Sequence, residues 1–263
     1  MTPALPCDPP LQITRLRGGS FTWCESGEGP VLLAVHGAPG SVRDFRWLAS
    51  ATSGVRFIRL DMPGYGGSDW AAGPGYSLGA RGRFVLAAAE ALGIERFCLV
   101  GHSQGGGVVI SAAAQAPDRV CSLALLASIG PRMHKGFIRS RVRLVGNLLR
   151  VPVLPWLAKK NLEQGFEDAG FPTSLTHAER VQTARSSGAI SFSENRRNLA
   201  RLRCPTLVAW AEDDRLVESA VSRELAEAAP AGPRLPFEKG GHNLQKTCAV
   251  ELGEALAALV GGG

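Results

Sequence analysis

The stretch Phe97-Cys98-Leu99-Val100-Gly101-His102-Ser103-Gln104-Gly105-Gly106-Gly107 decides how the chain is to be read. Its first four residues form a short apolar run of strand type, and the residues after Gly105 continue as a small-residue helix toward Gln115. Between them lies a turn too tight for large side chains, and the glycines there allow helix and strand to pack closely. A strand feeding directly into a helix is the unit from which parallel sheets are built.

The same unit recurs in both directions along the chain. Apolar runs rich in β-branched residues occur at 31–35, 55–60, 97–100, 120–126 and 206–210, and helical patterns at 78–92, 105–115, 220–228 and 244–259. Residues 11–16 and 21–24, joined through Gly18 and Gly19, read as an antiparallel hairpin on one sheet edge. This alternation predicts an α/β fold with a doubly wound, mostly parallel sheet. Between 130 and 203 it lapses into helical patterns interrupted by Pro131, Pro152, Pro155 and Pro172. Residues 1–129 and 204–263 are therefore expected to form one core, with 130–203 a helical lid inserted after the sixth strand, because insertions this long in a compact domain are usually covers over a site.

Bulk properties narrow the function classes. With 263 residues, 45% hydrophobic and 20% charged, the chain can bury a full core as one domain. The N-terminal stretch is broken by Pro3, Pro6, Pro9 and Pro10 and lacks the apolar run of a secretory signal, so a cytoplasmic location is expected. The most apolar stretch, 120–129, is too short to span a bilayer. The six cysteines are scattered without a C-x-x-C pair and read as free thiols, with no metal site. No phosphate-cradling motif appears, so no cofactor is implied. A net charge of +6 without a basic run interleaved with aromatics argues against nucleic acid and for a small-molecule substrate.

Acyl transfer by serine requires a hydroxyl at a pocket mouth, an imidazole to take its proton, a carboxylate to orient the imidazole, and amide donors for the oxyanion. The pattern G-x-S-x-G occurs at 101–105 and again at 75–79. Only Ser103 follows a strand and precedes a helix, as a nucleophile must in this fold, whereas Ser77 is placed as a helix N-cap. Of the five histidines, His242 in Gly240-Gly241-His242 alone comes after an acid that follows a late strand. That acid is Asp213 or Asp214, which proximity alone does not separate. His36 and His102 read as loop-holding residues, and His134 and His177 as surface residues of the lid that could at most contact substrate. One oxyanion donor is the N–H of Gln104; the other comes from His36-Gly37-Ala38-Pro39-Gly40, where Pro39 lacks an N–H and Ala38 is favoured.

With these pieces in order, the chain resembles the α/β-hydrolase superfamily, in particular its lidded branch of esterases and carbon–carbon bond hydrolases. The matching segments are H-G-A-P-G at 36–40, D-M-P-G-Y-G-G-S-D at 61–69, G-H-S-Q-G-G at 101–106, A-E-D-D-R-L-V at 211–217 and G-G-H at 240–242, spanning the chain apart from the lid. The family pattern G-x-x-D-x-x-V puts the acid at its fourth position, Asp214, although Ala211 replaces the usual Gly and Glu218 a frequent Pro. Epoxide hydrolases and haloalkane dehalogenases are similar but carry aspartate where this chain has Ser103. The resemblance implies a serine hydrolase acting on an ester or similar activated carbonyl. The alternatives are a carbon–carbon bond hydrolase with the same triad and a low-turnover ligand-binding receptor. From Pro131 to Arg203 there are 14 Lys and Arg against 5 Asp and Glu. That basic lid is expected either as solvated helix faces, with Leu144, Leu148, Leu149 and Trp156 turned toward the site, or as an attractor for an anionic substrate. An apolar acyl or aromatic group is expected in the pocket.

Overall fold

A computed structural model describes residues 6–17, 19–69, 75–135, 142–149, 151, 153–168 and 173–262. Eight strands form one sheet: β1 (Gln12–Leu16), β2 (Gly19–Ser26), β3 (Val31–Val35), β4 (Arg56–Leu60), β5 (Phe97–His102), β6 (Val120–Leu126), β7 (Thr206–Ala211) and β8 (Arg234–Phe237). Their spatial order is β1-β2-β4-β3-β5-β6-β7-β8. β1, β2 and β4 pair antiparallel, and every pairing from β4 through β3 to β8 is parallel. The expected hairpin and mostly parallel sheet are both present. The central strands β3 and β5 to β7 are apolar almost throughout because helices cover both faces.

Two apolar layers hold those helices. One packs α2 (Leu78–Ala91) and α3 (Gln104–Gln115) on the sheet through Phe84, Val85, Val109 and their neighbours. On the opposite face, Phe45, Leu48, Leu252 and Leu256 pack α1 (Arg46–Ala51) and α11 (Ala249–Gly261) against Leu32, Ala34 and Ala209. A 3-10 turn at Val42–Phe45 precedes α1, closed by a capping box in which Ser41 and Asp44 satisfy each other's backbone N–H. The predicted last helix is broken in two, α10 (Leu244–Thr247) and α11, meeting at Cys248.

Between β6 and β7 the chain runs through α4 (Val142–Leu148), α5 (Leu154–Leu157), α6 (Lys159–Asp168), α7 (His177–Gly188) and α8 (Phe192–Leu199), and α9 (Ser219–Ala228) follows β7. α4 packs on α7, and a small apolar cluster of Leu149, Leu162, Val181 and Ala184 joins α4, α6 and α7. Here one expectation fails. Leu149 is buried, but Leu144, Leu148 and Trp156 face solvent rather than the site. Gly146 is the reason: a Cβ there would meet the Ala184 carbonyl oxygen, so the Gly146 face of α4 is the one pressed on α7. Leu144 and Leu148, one turn apart, are left on a different face. Among the described residues no helix is long and apolar enough to cross a membrane.

Candidate active site

Parallel strands deliver their carboxyl ends to one edge of the sheet, and four of those ends supply this site. Register pairs Val35 with Gly101, His102 with Leu126, and Ala211 with Phe237, so the loops after β3, β5, β7 and β8 leave the sheet side by side. Ser103 sits directly after β5 with φ 54 and ψ −119, a backbone conformation that is costly for a side chain and is held by its surroundings. Its N–H donates to the Leu126 carbonyl at 3.0 Å, and its own carbonyl accepts from Gly106 and Ile129, each at 3.1 Å. The turn is thus pinned to the end of β6.

Ser103, His242 and Asp214 come together as a chain of hydrogen bonds. Asp214 Oδ2 lies 2.8 Å from His242 Nδ1, and His242 Nε2 lies 2.9 Å from Ser103 Oγ. An ionised carboxylate can only accept, so Nδ1 carries the proton and Nε2 offers its lone pair to the serine hydroxyl. Burial would push the Asp214 carboxyl up, but the His242 ring and the N–H groups of Val217 and Leu216 outweigh it and hold the pKa below the usual carboxylate range. Asp213 points elsewhere, its Oδ1 accepting from the N–H groups of Gly240 at 3.0 Å and Gly241 at 2.8 Å.

Two further histidines support these loops. His102 is buried, its ring centre 4.9 Å from that of His242, and its Nε2 donates to the His242 carbonyl at 2.8 Å. Burial and the neighbouring His242 ring lower its pKa to about 3, so it stays neutral. His36 Nε2 accepts from the Met62 N–H at 3.0 Å while Nδ1 donates to the Gly37 carbonyl at 2.6 Å, tying the loop after β3 to the end of β4. Asp61, at the head of the 61–69 motif, accepts from Thr22, Val42 and Gly67, which makes that motif a clasp between β2, β4 and the turn before α1. Ser77 caps α2, accepting from Ala80 N at 3.2 Å.

A cavity of about 920 Å³ opens over the site and is lined by Ser103, His242, Ala38 and Gln104. The loop after β3 touches the turn closely, since a Cβ on Gly37 would lie 3.1 Å from Ser103 Cβ. The cavity's apolar wall comes from Ile129, Phe166, Leu175, Ile190, Leu216 and Val217. His134, read from the sequence as a surface residue or at most a substrate contact, lines this cavity, with its ring edge-on to Phe192 at 6.4 Å. His177 stays at the head of α7, partly exposed.

Sequence reasoning missed the cavity's charged end. Arg43, Arg46 and Lys246 line it beside the carboxylates of Asp44, Asp61 and Glu179; Arg46 pairs with Asp8 at 3.6 Å, and the Arg46 guanidinium and Lys246 Nζ lie 5.2 and 4.9 Å from the centre of the Trp47 ring. The capping signal Ser41-x-x-Asp44 could have revealed a helical turn presenting Arg43 and Arg46 beside the loop. Among the described residues, no Lys or Arg of the segment between β6 and β7 lines the cavity. Arg132 pairs with Glu218 and Glu224, Arg180 with Glu163, and Arg185 donates to the Leu149 carbonyl. The charge at the cavity therefore comes from the core and not from the described cations of the insertion, which agrees with the reading of those cations as solvated helix faces.

Comparison with known proteins agrees with this architecture. A family model described as alpha/beta hydrolase fold matches residues 30–150. The 2-hydroxy-6-oxononadienedioate/2-hydroxy-6-oxononatrienedioate hydrolase of Paraburkholderia phymatum is 29% identical over 251 residues, covering 89% of this chain and 85% of that protein. The dihydrolipoyllysine-residue acetyltransferase component of the acetoin cleaving system of Pseudomonas putida is 29% identical over 268 residues, covering 96% of this chain and 70% of that protein. An esterase from Exiguobacterium antarcticum superposes with a TM-score of 0.73 at 19% identity, covering 95% of this chain and 98% of its own. The sheet order and the matched model show the α/β-hydrolase fold, and the similarity to named hydrolases supports an enzyme of this kind.

Proposed function

We propose that the protein is a serine hydrolase that cleaves a carboxylic ester or similar activated carbonyl through an acyl-enzyme on Ser103. The observation that carries this reading is the run of contacts from Asp214 through His242 to Ser103 Oγ, at 2.8 and 2.9 Å, opening onto the cavity. Ser103 Oγ attacks the carbonyl carbon while its proton passes to His242 Nε2, and Asp214 stabilises the imidazolium without taking the proton. The N–H groups of Ala38 and Gln104 receive the oxyanion. The proton then goes to the departing alkoxide. Water, deprotonated by the neutral imidazole, attacks the acyl carbon and returns Ser103 to its hydroxyl form.

Residues 130–203 act as a lid whose Phe166, Leu175 and Ile190 close the apolar part of the cavity, which suits an acyl chain or aromatic ring. The six free cysteines support work in a reducing compartment, the cytoplasm. A second reading, hydrolysis of a carbon–carbon bond in a dicarbonyl compound with the same three residues, is favoured by the activity for which the Paraburkholderia phymatum relative is named.

The test is a panel of acyl and alcohol esters, with 2-hydroxy-6-oxononadienedioate included, assayed on the protein and on Ser103→Ala. Turnover of at least one ester, with a loss of roughly four to six orders of magnitude in the variant, is expected. Fluorophosphonate labelling should vanish with Ser103→Ala and persist in Ser77→Ala; the reverse would refute the assignment.

A further inference from the structure

The outward face of α4 and α5 is not explained by the fold or by the proposed chemistry. Leu144, Leu148, Val151, Val153, Trp156 and Leu157 each keep at least half of their surface in solvent, and Trp156 keeps 76%. All six fall within fourteen residues, so they are concentrated in one short segment of the chain rather than scattered along it. Isolated exposed apolar residues are ordinary on a protein surface, whereas a concentration of this kind marks an interaction site. None of the six lines the cavity. The buried face of the same segment is already satisfied through Leu149 and Gly146 against α7.

Charge identifies the partner. The thirty residues from Met133 to Leu162 contain seven Lys and Arg and no Asp or Glu. Lys159 and Lys160, both exposed, head α6 immediately after Trp156 and Leu157. Apolar side chains including a tryptophan, followed directly by lysines whose stems can lie along apolar surface while their ammonium groups reach outward, match the boundary between acyl chains and headgroups. The next acid along the chain, Glu163, is paired with Arg180, so the cationic balance of the stretch suits a surface of negative headgroups. It also argues against a second copy of this chain, because a two-fold contact through this face would set its cations against their own copies.

We infer that the α4–α5 face docks the protein peripherally on an anionic lipid surface, with Trp156 and Leu157 entering the headgroup boundary and Lys159 and Lys160 contacting lipid phosphate. The test is co-sedimentation of the full chain with large unilamellar vesicles of phosphatidylcholine alone or with 30% phosphatidylglycerol, at ~50 and ~500 mM salt. The expected result is binding to the anionic vesicles that falls at high salt and is at least ~10-fold weaker for Trp156→Ser/Leu157→Ser and for Lys159→Gln/Lys160→Gln. Thermal unfolding of both double variants should match the parent, which separates lost docking from lost fold independently of any activity. Failure of the parent to bind anionic vesicles, or equal binding by either folded double variant, overturns the inference. So does sedimentation velocity showing a dimer of the parent that Trp156→Ser/Leu157→Ser dissociates, since the face would then belong to a second copy.

Discussion

Asp213 and Asp214 stand next to each other after the same strand, yet one carboxylate meets an imidazole ring and the other meets the backbone that carries it. If the proposed chemistry holds, Asp214→Asn should lower kcat by about four orders of magnitude, because the amide lets the imidazole adopt the wrong tautomer. Asp213→Asn keeps an acceptor for Gly240 and Gly241 and should cost about tenfold or less. Steady-state kinetics on the best ester of the panel checks both, and a larger loss at Asp213 would reverse their roles. His102 makes a separate prediction about stability. Its folded pKa of about 3 lies well below the ~6.5 of an unfolded histidine, so between those values only the unfolded chain takes up the proton. The associated stability is complete above pH ~6.5 and declines as pH falls toward 3. Thermal melts of His102→Gln should therefore fall less steeply between pH 6.5 and 4.5 than those of the parent; parallel curves would show that another group governs that limb. At this scale the sequence reduced the acid to two neighbours. Spacing did not tell them apart, because both lie in one polar turn, and only the resemblance to the family pattern pointed to Asp214.

At the level of elements, the turn from β5 into α3 is legible in the sequence for the same reason that it is intolerant. A Cβ on Gly105 would run into the carbonyl oxygens of Val35 and His36, which belong to β3 and its loop and have no flexible end to move aside. Gly105→Ala should destabilise the protein by about 2 kcal/mol or more, lowering Tm by roughly 5 °C. Gly165→Ala, with open space around it within α6, should instead be neutral or raise stability by about 0.5–1 kcal/mol. Calorimetry on the two variants makes the comparison, and equal melting points would contradict the close approach. The strands were readable because each is a short β-branched run bounded by turn residues. The orientation of α4 was not. Leu148 and Leu149 are adjacent and equally apolar, about 100° apart around the helix, and periodicity cannot say which row meets a partner. A glycine that admits the Ala184 carbonyl makes that choice, and a contact across some forty residues of sequence leaves no local mark.

For the whole molecule, the basic balance of the insertion and the basic end of the cavity turn out to be different things. The cavity's cations, Arg43, Arg46 and Lys246, belong to the first and last parts of the core; Arg46 is paired with Asp8 and Asp61 is held by Thr22, Val42 and Gly67, which leaves Arg43 and Lys246 to carry the attraction. Clustered charge of this kind raises the arrival rate of an oppositely charged ligand and is screened by salt. For an ester bearing a carboxylate, kcat/KM should fall as salt rises from ~50 to ~500 mM, and Arg43→Gln/Lys246→Gln should remove most of that dependence. A neutral short ester should respond little, and equal salt responses for the two substrates would discard electrostatic steering. The placement of the site's parts along the chain has one more consequence, this time for its biosynthesis. The loop after β3 and Ser103 belong to the first half of the chain, while Asp214 and His242 follow β7 and β8 near its end. A nascent chain leaving the ribosome would thus present the serine well before the residues proposed to activate it. On that reading, the hydroxyl stays chemically quiet until translation has passed residue 242 and β8 has joined the sheet, so reactivity itself would report that synthesis of the core is complete.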